Sequence, residues 1–309
     1  MKNSVLVVGS VALDDVETIS GNRNNVVGGS AVYFSFAGSF YSNIRVVGVA
    51  GQDFPGETIK LMKERNIDVT GLQIKEGKTF KWGGKYHDDM NGRDTLYTHL
   101  NVFEDFSPAI PNKFRNTPYI FLGNIQPQLQ LEVLEQVKDP AFVALDTMNL
   151  WINEQRQNLL KVIKKVDMII INQTELADLT DVDNILKGIR LLHEDLNLQY
   201  IIIKIGEYGA YISHNNPGDQ AEHILFFSPA YPVPFTVDPT GAGDCFAGGF
   251  MGALAREGTL SFKNMKKALV YGNIMGSFVV QDFSVDKLLE TDKEEIEYRY
   301  DMLRKLVTI

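Results

Sequence analysis

Short apolar runs alternate with amphipathic stretches along most of the chain. Six runs stand out, and they cover residues 5–8, 44–50, 119–123, 142–146, 168–172 and 200–206. Several of these runs are continuous rather than alternating, which is typical of strands buried on both faces of a parallel sheet. Because stretches with helical spacing separate them, we predict an α/β fold with a mostly parallel central sheet flanked by helices.

One region, residues 73–102, departs from this rhythm. Its first half carries aromatic side chains on alternate positions: Phe80, Trp82 and Tyr86. Asn91-Gly92 follows as a turn signal, so we predict antiparallel strands of a small sheet, with residues 14–26 pairing onto it. Neither piece can bury an apolar face alone, so we predict a single domain, residues 1–309, with these two pieces as its lid.

Charge and cysteine content narrow the class of protein. The net charge of −9 leaves no excess of Lys and Arg for neutralising phosphates, so we expect no nucleic-acid binding. Cys245 is the single cysteine, which excludes an internal disulfide and fits a reducing, cytoplasmic setting. The first apolar run is too short for a signal peptide, and no stretch approaches a membrane span.

The stretch VDPTGAGDCFAGGF, residues 237–250, carries the strongest chemical signal. We predict a strand over residues 235–238 and then a helix that ends at Gly258. Gly241, Ala242 and Gly243 then lie at the helix N-terminus, where backbone N–H groups and the positive end of the helix dipole favour an anion. The small side chains let a phosphate approach closely.

Asp244 falls in the first turn of the same helix. We expect the helix dipole to keep its carboxylate ionised, so that it can accept a proton from a hydroxyl that attacks phosphorus. The alternative is that Asp244 only caps the helix, which is the commoner role of an Asp in a first turn.

Two segments resemble the signatures of the PfkB (ribokinase-like) family of sugar and nucleoside kinases. DPTGAGDCFAGG, residues 238–249, resembles the C-terminal signature, and residues 26–56 resemble the other signature through a Gly-Gly pair and G-x-D-x-x-G. The resemblance implies a ribokinase-like three-layer sandwich, with ATP and Mg²⁺ as cofactors. It also implies Asp244 as catalytic base, assisted by residues 241–243, and a K⁺ site at Asp238 and Thr240.

The resemblance implies a further set of nucleotide-binding residues. They are Asn172, Glu175, Lys204, Gly206, Gly209, Thr240, Gly241, Gly243, Asn273 and Ser277, with Glu175 holding Mg²⁺ through water. Two alternatives rest on local structure. INQTE is also a helix-capping pattern, and a plain hairpin turn explains the glycines of KIGEYG equally well.

The resemblance also implies a substrate pocket for a polyol. Its candidate residues are Asp14, Gly28, Gly29, Tyr33, Trp82, Asn124, Asp146 and Asp244. Tyr33 stands where relatives usually have Asn, which leaves ribose in question as the acceptor. Trp82 could stack on a sugar or a nucleobase, or it could simply pack within the lid.

We therefore predict an ATP-dependent kinase that phosphorylates a hydroxyl of a small sugar or sugar-like metabolite. A nucleoside kinase of the same fold is the alternative, and a catalytically silent metabolite sensor is a third reading. Asp244 together with Gly241 and Gly243 argues against the sensor, because a silent protein has no physical need for all three. We also expect a homodimer formed through the lid.

Overall fold

The computed structural model describes residues 3–215 and 224–307. The strands are β1 (Ser4–Val8), β2 (Ala12–Thr18), β3 (Gly21–Gly28), β4 (Asn43–Gly51), β5 (Ile67–Lys75), β6 (Phe80–Tyr86), β7 (Arg93–His99), β8 (Tyr119–Leu122), β9 (Phe142–Asp146), β10 (Met168–Asn172), β11 (Tyr200–Lys204), β12 (Gly209–His214) and β13 (Ile224–Pro229). The helices are α1 (Ser30–Gly38), α2 (Gly56–Glu64), α3 (Pro127–Gln136), α4 (Asn149–Glu154), α5 (Arg156–Ile163), α6 (Gln173–Thr180), α7 (Ile185–Leu196), α8 (Ala242–Glu257), α9 (Phe262–Val279), α10 (Asp286–Glu290) and α11 (Lys293–Val307).

The large central sheet is mostly parallel, as the apolar runs predict. Its strand order is β13-β12-β11-β10-β9-β8-β1-β4-β5, and only the pairs β11–β12 and β12–β13 within the described residues are antiparallel. Parallel strands end at the same edge, so the last residues of β8 to β11 meet on one side. That edge brings together residues far apart in the chain.

Helices cover both faces of this sheet, which confirms the predicted layered α/β architecture. Val5 and Val7 of β1 face the core shared with α1, α2 and α8 to α11, whereas Leu6 and Val8 face the core shared with α3 to α7. Alternate side chains of one strand therefore enter two different cores. This is why the apolar runs are continuous rather than alternating.

The second sheet has the order β3-β2-β6-β7. β6 and β7 form the antiparallel hairpin that Asn91-Gly92 predicts, while β2 pairs with β6 in parallel. The sheet is tied to the main body where the Thr18 hydroxyl donates to the Val237 carbonyl oxygen at 2.9 Å. Phe283 of the main body also packs under it. We call this four-stranded sheet the lid.

One predicted boundary and one predicted strand are wrong. Residues 73–75 belong to β5 of the central sheet, because they pair in parallel with β4, so the second segment of the lid begins only at β6. The strand expected over residues 235–238 does not form. Prolines at 232, 234 and 239 lack donors for a ladder, and the Val237 N–H donates instead to the Val280 carbonyl oxygen at 2.7 Å.

The helix that follows has the predicted limits. α8 begins at Ala242 and ends at Glu257, and Gly258 caps it with a φ of 70°, in the left-handed region that favours glycine. None of the helices in the described residues is long and apolar enough to cross a membrane.

Candidate active site

The loop before α8 has the geometry of an anion cradle. Gly241 is the N-cap, with a φ of 76°, and its Cα lies against the ring of Tyr33, so that a side chain at this position would clash with the ring. Gly243 faces the ammonium group of Lys204, and a Cβ on Gly243 would come within 3.0 Å of Nζ. Glycine is therefore required at position 241, and at position 243 it leaves room beside Lys204 for a closely approaching anion.

Asp244 is partly buried in the first turn of α8. Burial and the nearby Asp146 carboxyl raise its pKa to about 7. Lys204 and Arg93 oppose this rise with their positive charges. The expectation that the helix dipole keeps the Asp244 carboxylate ionised is wrong, since burial has the larger effect on its pKa. A carboxyl with a pKa near neutrality is better suited to taking up and releasing a proton.

Lys204 lies among three acidic groups beside the cradle. Its Nζ is 3.6 Å from Oδ1 of Asp146, and both side chains are largely buried. Burial lowers the pKa of Lys204, but the carboxyls of Asp146, Glu175 and Asp244 outweigh it and raise that pKa, so the ammonium stays charged. The structure brings Asp146, a candidate for the acceptor pocket, to this lysine.

Asn172 and Glu175 form a complete capping box at the start of α6. The Glu175 N–H donates to Oδ1 of Asn172 at 2.9 Å, and the Asn172 N–H donates to Oε2 of Glu175 at 2.8 Å. Burial raises the pKa of Glu175 to about 7, while Lys204 lowers it. Glu175 can therefore both cap α6 and act at the site. One oxygen of its carboxylate accepts the capping hydrogen bond, while the charge of Lys204 acts on the same carboxylate.

Asp14 stands on the lid side of the site. Its carboxylate packs against Gly28 so closely that any side chain there would overlap it, and Gly29 next to it has a φ of 95°. Burial, then the carboxyls of Asp238 and Asp244, raise the pKa of Asp14 to about 8. Asp14, the Gly-Gly pair and Asp244 therefore share one region, as the sequence predicts for an acceptor floor.

Tyr33 and Asp238 form a buried polar group under the cradle. The Tyr33 hydroxyl and Oδ2 of Asp238 are buried without a hydrogen-bond partner among the described residues. Oδ1 of Asp238 accepts the Thr240 N–H at 2.8 Å, and the Thr240 hydroxyl donates to the Tyr86 hydroxyl at 3.1 Å. Tyr33 is too deeply buried, at 1% exposure, to contact an acceptor directly in this conformation.

Trp82 and Asn124 differ in their relation to the site. Trp82 lies directly beside Asp14 in the β2–β6 pairing, its ring covers Gly84, and its Nε1 donates to Oγ1 of Thr95 at 3.3 Å. Asn124 accepts from the indole of Trp151 at 2.9 Å, which fixes its amide. Trp82 thus lines the inner face of the lid, whereas Asn124 supports the neighbouring helix.

The remaining residues predicted to bind the nucleotide mostly shape a turn or bond to other parts of the protein. Gly206 and Gly209 have φ values of 59° and 121° at the turn between β11 and β12, as their glycine identity predicts. The Asn273 amide donates to the carbonyl oxygens of Ser228 and Pro229 at 3.0 and 3.1 Å. The Ser277 hydroxyl accepts from Arg299 at 2.8 Å.

Arg93, an exposed residue of the lid, is a candidate site residue that sequence reasoning missed. It begins β7 of the lid, with its guanidinium 5.6 Å from the centre of the Trp82 ring, and its charge lowers the pKa values of Asp244 and Glu175. No local motif marks it, because its relation to these carboxyls depends on how the lid lies on the main body. The turn signal at Asn91-Gly92 indicates only that the chain reverses direction just before Arg93.

Comparison with known proteins agrees with this fold. Residues 3–292 match the model of the pfkB family carbohydrate kinases. A cytidine kinase from Thermococcus kodakarensis is 27% identical over 259 residues, covering 82% of this chain and 88% of the relative. The chain is a phosphotransferase with a hydroxyl acceptor, and it belongs to the pfkB family of carbohydrate kinases.

Two solved structures share the fold over nearly their whole lengths. A nucleoside kinase from Methanocaldococcus jannaschii superposes with a TM-score of 0.72 at 19% identity, covering 98% of this chain and 99% of the other. An aminoimidazole riboside kinase from Salmonella enterica, complexed with aminoimidazole riboside and an ATP analog, gives 0.72 at 18% identity, covering 96% and 100%. The central sheet and the helices around it are thus those of ribokinase-family kinases.

Proposed function

We propose that the protein transfers the γ-phosphoryl group of ATP to a hydroxyl of a small sugar or sugar-like metabolite, with Asp244 as the catalytic base. The observation that carries this proposal is the position of Asp244. Its carboxyl lies at the N-terminus of α8, beside the glycine cradle, and it interacts electrostatically with both Lys204 and Asp14. One group therefore stands between an anion site and a hydroxyl-binding site.

Asp244 accepts the hydroxyl proton as the acceptor oxygen attacks phosphorus. The hydroxyl proton becomes acidic only as the new bond forms, so a carboxyl with a pKa of about 7 is ionised often enough near neutrality to take it. The backbone N–H groups of Gly243 and Asp244, together with the Lys204 ammonium, stabilise negative charge beside it. Arg93 adds a positive charge from the lid.

The residues on the phosphate side fit Mg-ATP. Bound ATP with Mg²⁺ supplies the electrophilic phosphorus and the cation that neutralises its oxygens. Asn172 and Glu175 are the residues that would hold Mg²⁺ through water, since Glu175 keeps one oxygen outside its capping bond. The tight space between Gly243 and Lys204 is the cradle that a Cβ would fill.

Asp238 and Thr240 are the residues we propose for K⁺. A buried carboxylate oxygen of Asp238 without a hydrogen-bond partner in the described chain fits a monovalent cation. The homodimer through the lid and the cytoplasmic location remain predictions of the sequence.

A nucleoside is the second candidate acceptor, and one observation favours it. The flat ring of Trp82 lies directly beside Asp14 in the lid sheet, so a carboxyl group and an aromatic ring share one face of that sheet. A nucleoside has ribose hydroxyls that can bond to such a carboxyl and a flat base that can stack on an aromatic ring. The cytidine kinase relative is consistent with this choice.

Release of ADP from Mg-ATP tests the proposal across pentoses, hexoses, inositols and nucleosides, with cytidine included. We expect release that depends on one acceptor class. A pentose or hexose response without a nucleoside response supports the first candidate, and the reverse supports the second. ATP binding with no release for any acceptor would favour the metabolite sensor.

A further inference from the structure

The lid sheet contains two β-bulges, one on each side of its central strand pair. Between β2 and β3, Asp14 pairs with Val26 but Val16 pairs with Arg23, so β3 carries one extra residue. Between β6 and β7, Gly83 pairs with Tyr97 but Gly84 pairs with Thr95, so β7 carries one extra residue. Bulges bend and twist a sheet, and they often aim side chains at an adjacent site.

One carboxylate, that of Asp15, connects both bulges. Oδ1 of Asp15 accepts the N–H of Asn25, the residue of the first bulge with a φ of 53°, at 2.7 Å. Oδ2 accepts the hydroxyl of Tyr97, which lies at the second bulge. Lys81 of β6 lies 2.9 Å from Oδ2 and also donates to the Asn25 side chain at 2.7 Å. Asp15 itself is in β2, so this group, the Asp15 network, joins all four strands.

The Tyr97 ring anchors the second bulge further. It lies across Gly83, where a Cβ would come within 2.5 Å of the ring, which leaves no room for a side chain. Asp15 and Lys81 are only 21% and 25% exposed, so their ion pair is shielded more than the other charge pair between the same two strands. That pair, Lys85 with Glu17, is 4.0 Å apart and 62% and 43% exposed.

Asp14 precedes Asp15 on β2, so the two side chains point to opposite faces of the lid. Asp14 faces the site and packs against Gly28, the partner of Ala12 across the first bulged pair of strands. Trp82 stands beside Asp14 on β6, one residue after Lys81. Asp15 and Lys81, on the outer face, are therefore the sequence neighbours of the two inner-face residues. Those inner-face residues are Asp14 and Trp82.

We propose that Asp15 is a positioning residue for acceptor binding: by bonding both bulges from the outer face, it holds Asp14 and Trp82 in their places on the inner face. The proposal rests on the proposed function, because it assumes that the acceptor binds between the lid and Asp244. The bonds of Asp15 are charge-assisted, so their loss should loosen the lid sheet more than loss of an ordinary surface ion pair.

Asp15→Asn tests the proposal, with Glu17→Gln as the matched control on the same strand. In Asp15→Asn we expect the KM for the acceptor to rise about tenfold, while the KM for ATP and kcat at saturation stay within about threefold of wild type. Tyr97→Phe, which removes one bond of the same network, should raise the acceptor KM less. The double variant should then add little to Asp15→Asn, because both changes act through one group.

A merely structural role would give a different result. It would lower Tm and the fraction of active protein, and so the apparent kcat, without separating the two KM values. An acceptor KM that is unchanged in Asp15→Asn, or that rises equally in Glu17→Gln, overturns the proposal. Faster amide hydrogen exchange throughout β2, β3, β6 and β7 in Asp15→Asn only is the second expected result, and unchanged exchange contradicts the network.

The exchange measurement needs no turnover. If the wild-type protein phosphorylates no acceptor, the proposed function fails, and the exchange result alone decides whether Asp15 holds the lid.

Discussion

Gly241, the N-cap residue of α8, packs against the ring of Tyr33. Gly241 has a φ of 76°, and a Cβ would run into the ring. We therefore expect Gly241→Ala to displace the N-terminus of α8 and to reduce kcat by at least about 100-fold, the cost typical of a lost charge-stabilising group. Steady-state kinetics at a temperature where the variant is folded checks this.

Gly258→Ala is the matched control for that experiment. Gly258 has a similar φ of 70° at the other end of α8, and the nearest atom to an added Cβ belongs to Asn3. Both substitutions carry the cost of a left-handed conformation, about 1 kcal/mol, but only Gly241 touches the site. Equal losses of kcat in the two variants would show that the Tyr33 contact has no catalytic importance.

The pH dependence of kcat/KM should report the ionisation of Asp244. Its pKa is about 7, so kcat/KM should rise with pH through that region as the base loses its proton. Arg93 lowers this pKa, and Arg93→Gln should therefore move the midpoint to higher pH and reduce the rate near neutrality. A pH–rate profile for each protein measures the shift.

Arg23→Gln is the control for charge removal from the lid. Arg23 is on β3 of the same sheet, and its guanidinium lies over the ring of Phe283, 4.7 Å from the centre. Its loss should leave the midpoint where it is. A midpoint that does not move in Arg93→Gln, or that moves equally in both variants, contradicts a direct effect of Arg93 on Asp244.

Asp14 should make the protein less stable as pH rises. Its pKa is about 8 in the folded protein and ordinarily 3.8, so between those values the folded state binds a proton that the unfolded state has lost. Stability then falls with increasing pH across this window. Asp14→Asn removes the free-energy cost of ionising this buried carboxyl. The Tm of the variant minus that of wild type should therefore grow between about pH 4 and about pH 8.

Thermal unfolding across this pH range measures the difference. Asp105→Asn, at an exposed position, is the control variant. A flat or shrinking difference for Asp14→Asn would mean that the buried carboxyl is already ionised near neutral pH.

The parts of the site that could be predicted from the sequence are those built from adjacent residues. The cradle from Gly241 to Gly243 depends on local backbone conformation, so the two glycines in the sequence are enough to predict it. The capping box of Asn172 and Glu175 is likewise complete within four residues. The continuous apolar strands predict the central sheet because burial on both faces leaves no polar position.

The features that could not be predicted depend on tertiary contacts. The pKa of Asp244 follows from burial and from Asp146, which is distant in sequence, so the helix dipole alone gave the wrong expectation. Asp15 resembles any polar lid residue until the lid sheet brings Asn25, Lys81 and Tyr97 around it. Val237 pairs with a loop after α9 rather than with a strand, which no local pattern indicates.

Asp244→Asn tests the central claim most directly. The amide keeps the shape of the side chain but cannot accept the hydroxyl proton as a base, so we expect kcat to fall by about 10² to 10⁴-fold. Calorimetric binding of ATP and of the acceptor should stay within about threefold of wild type, because the cradle and Asp14 are unchanged. Turnover within about tenfold of wild type, with the same binding, would contradict Asp244 as the catalytic base.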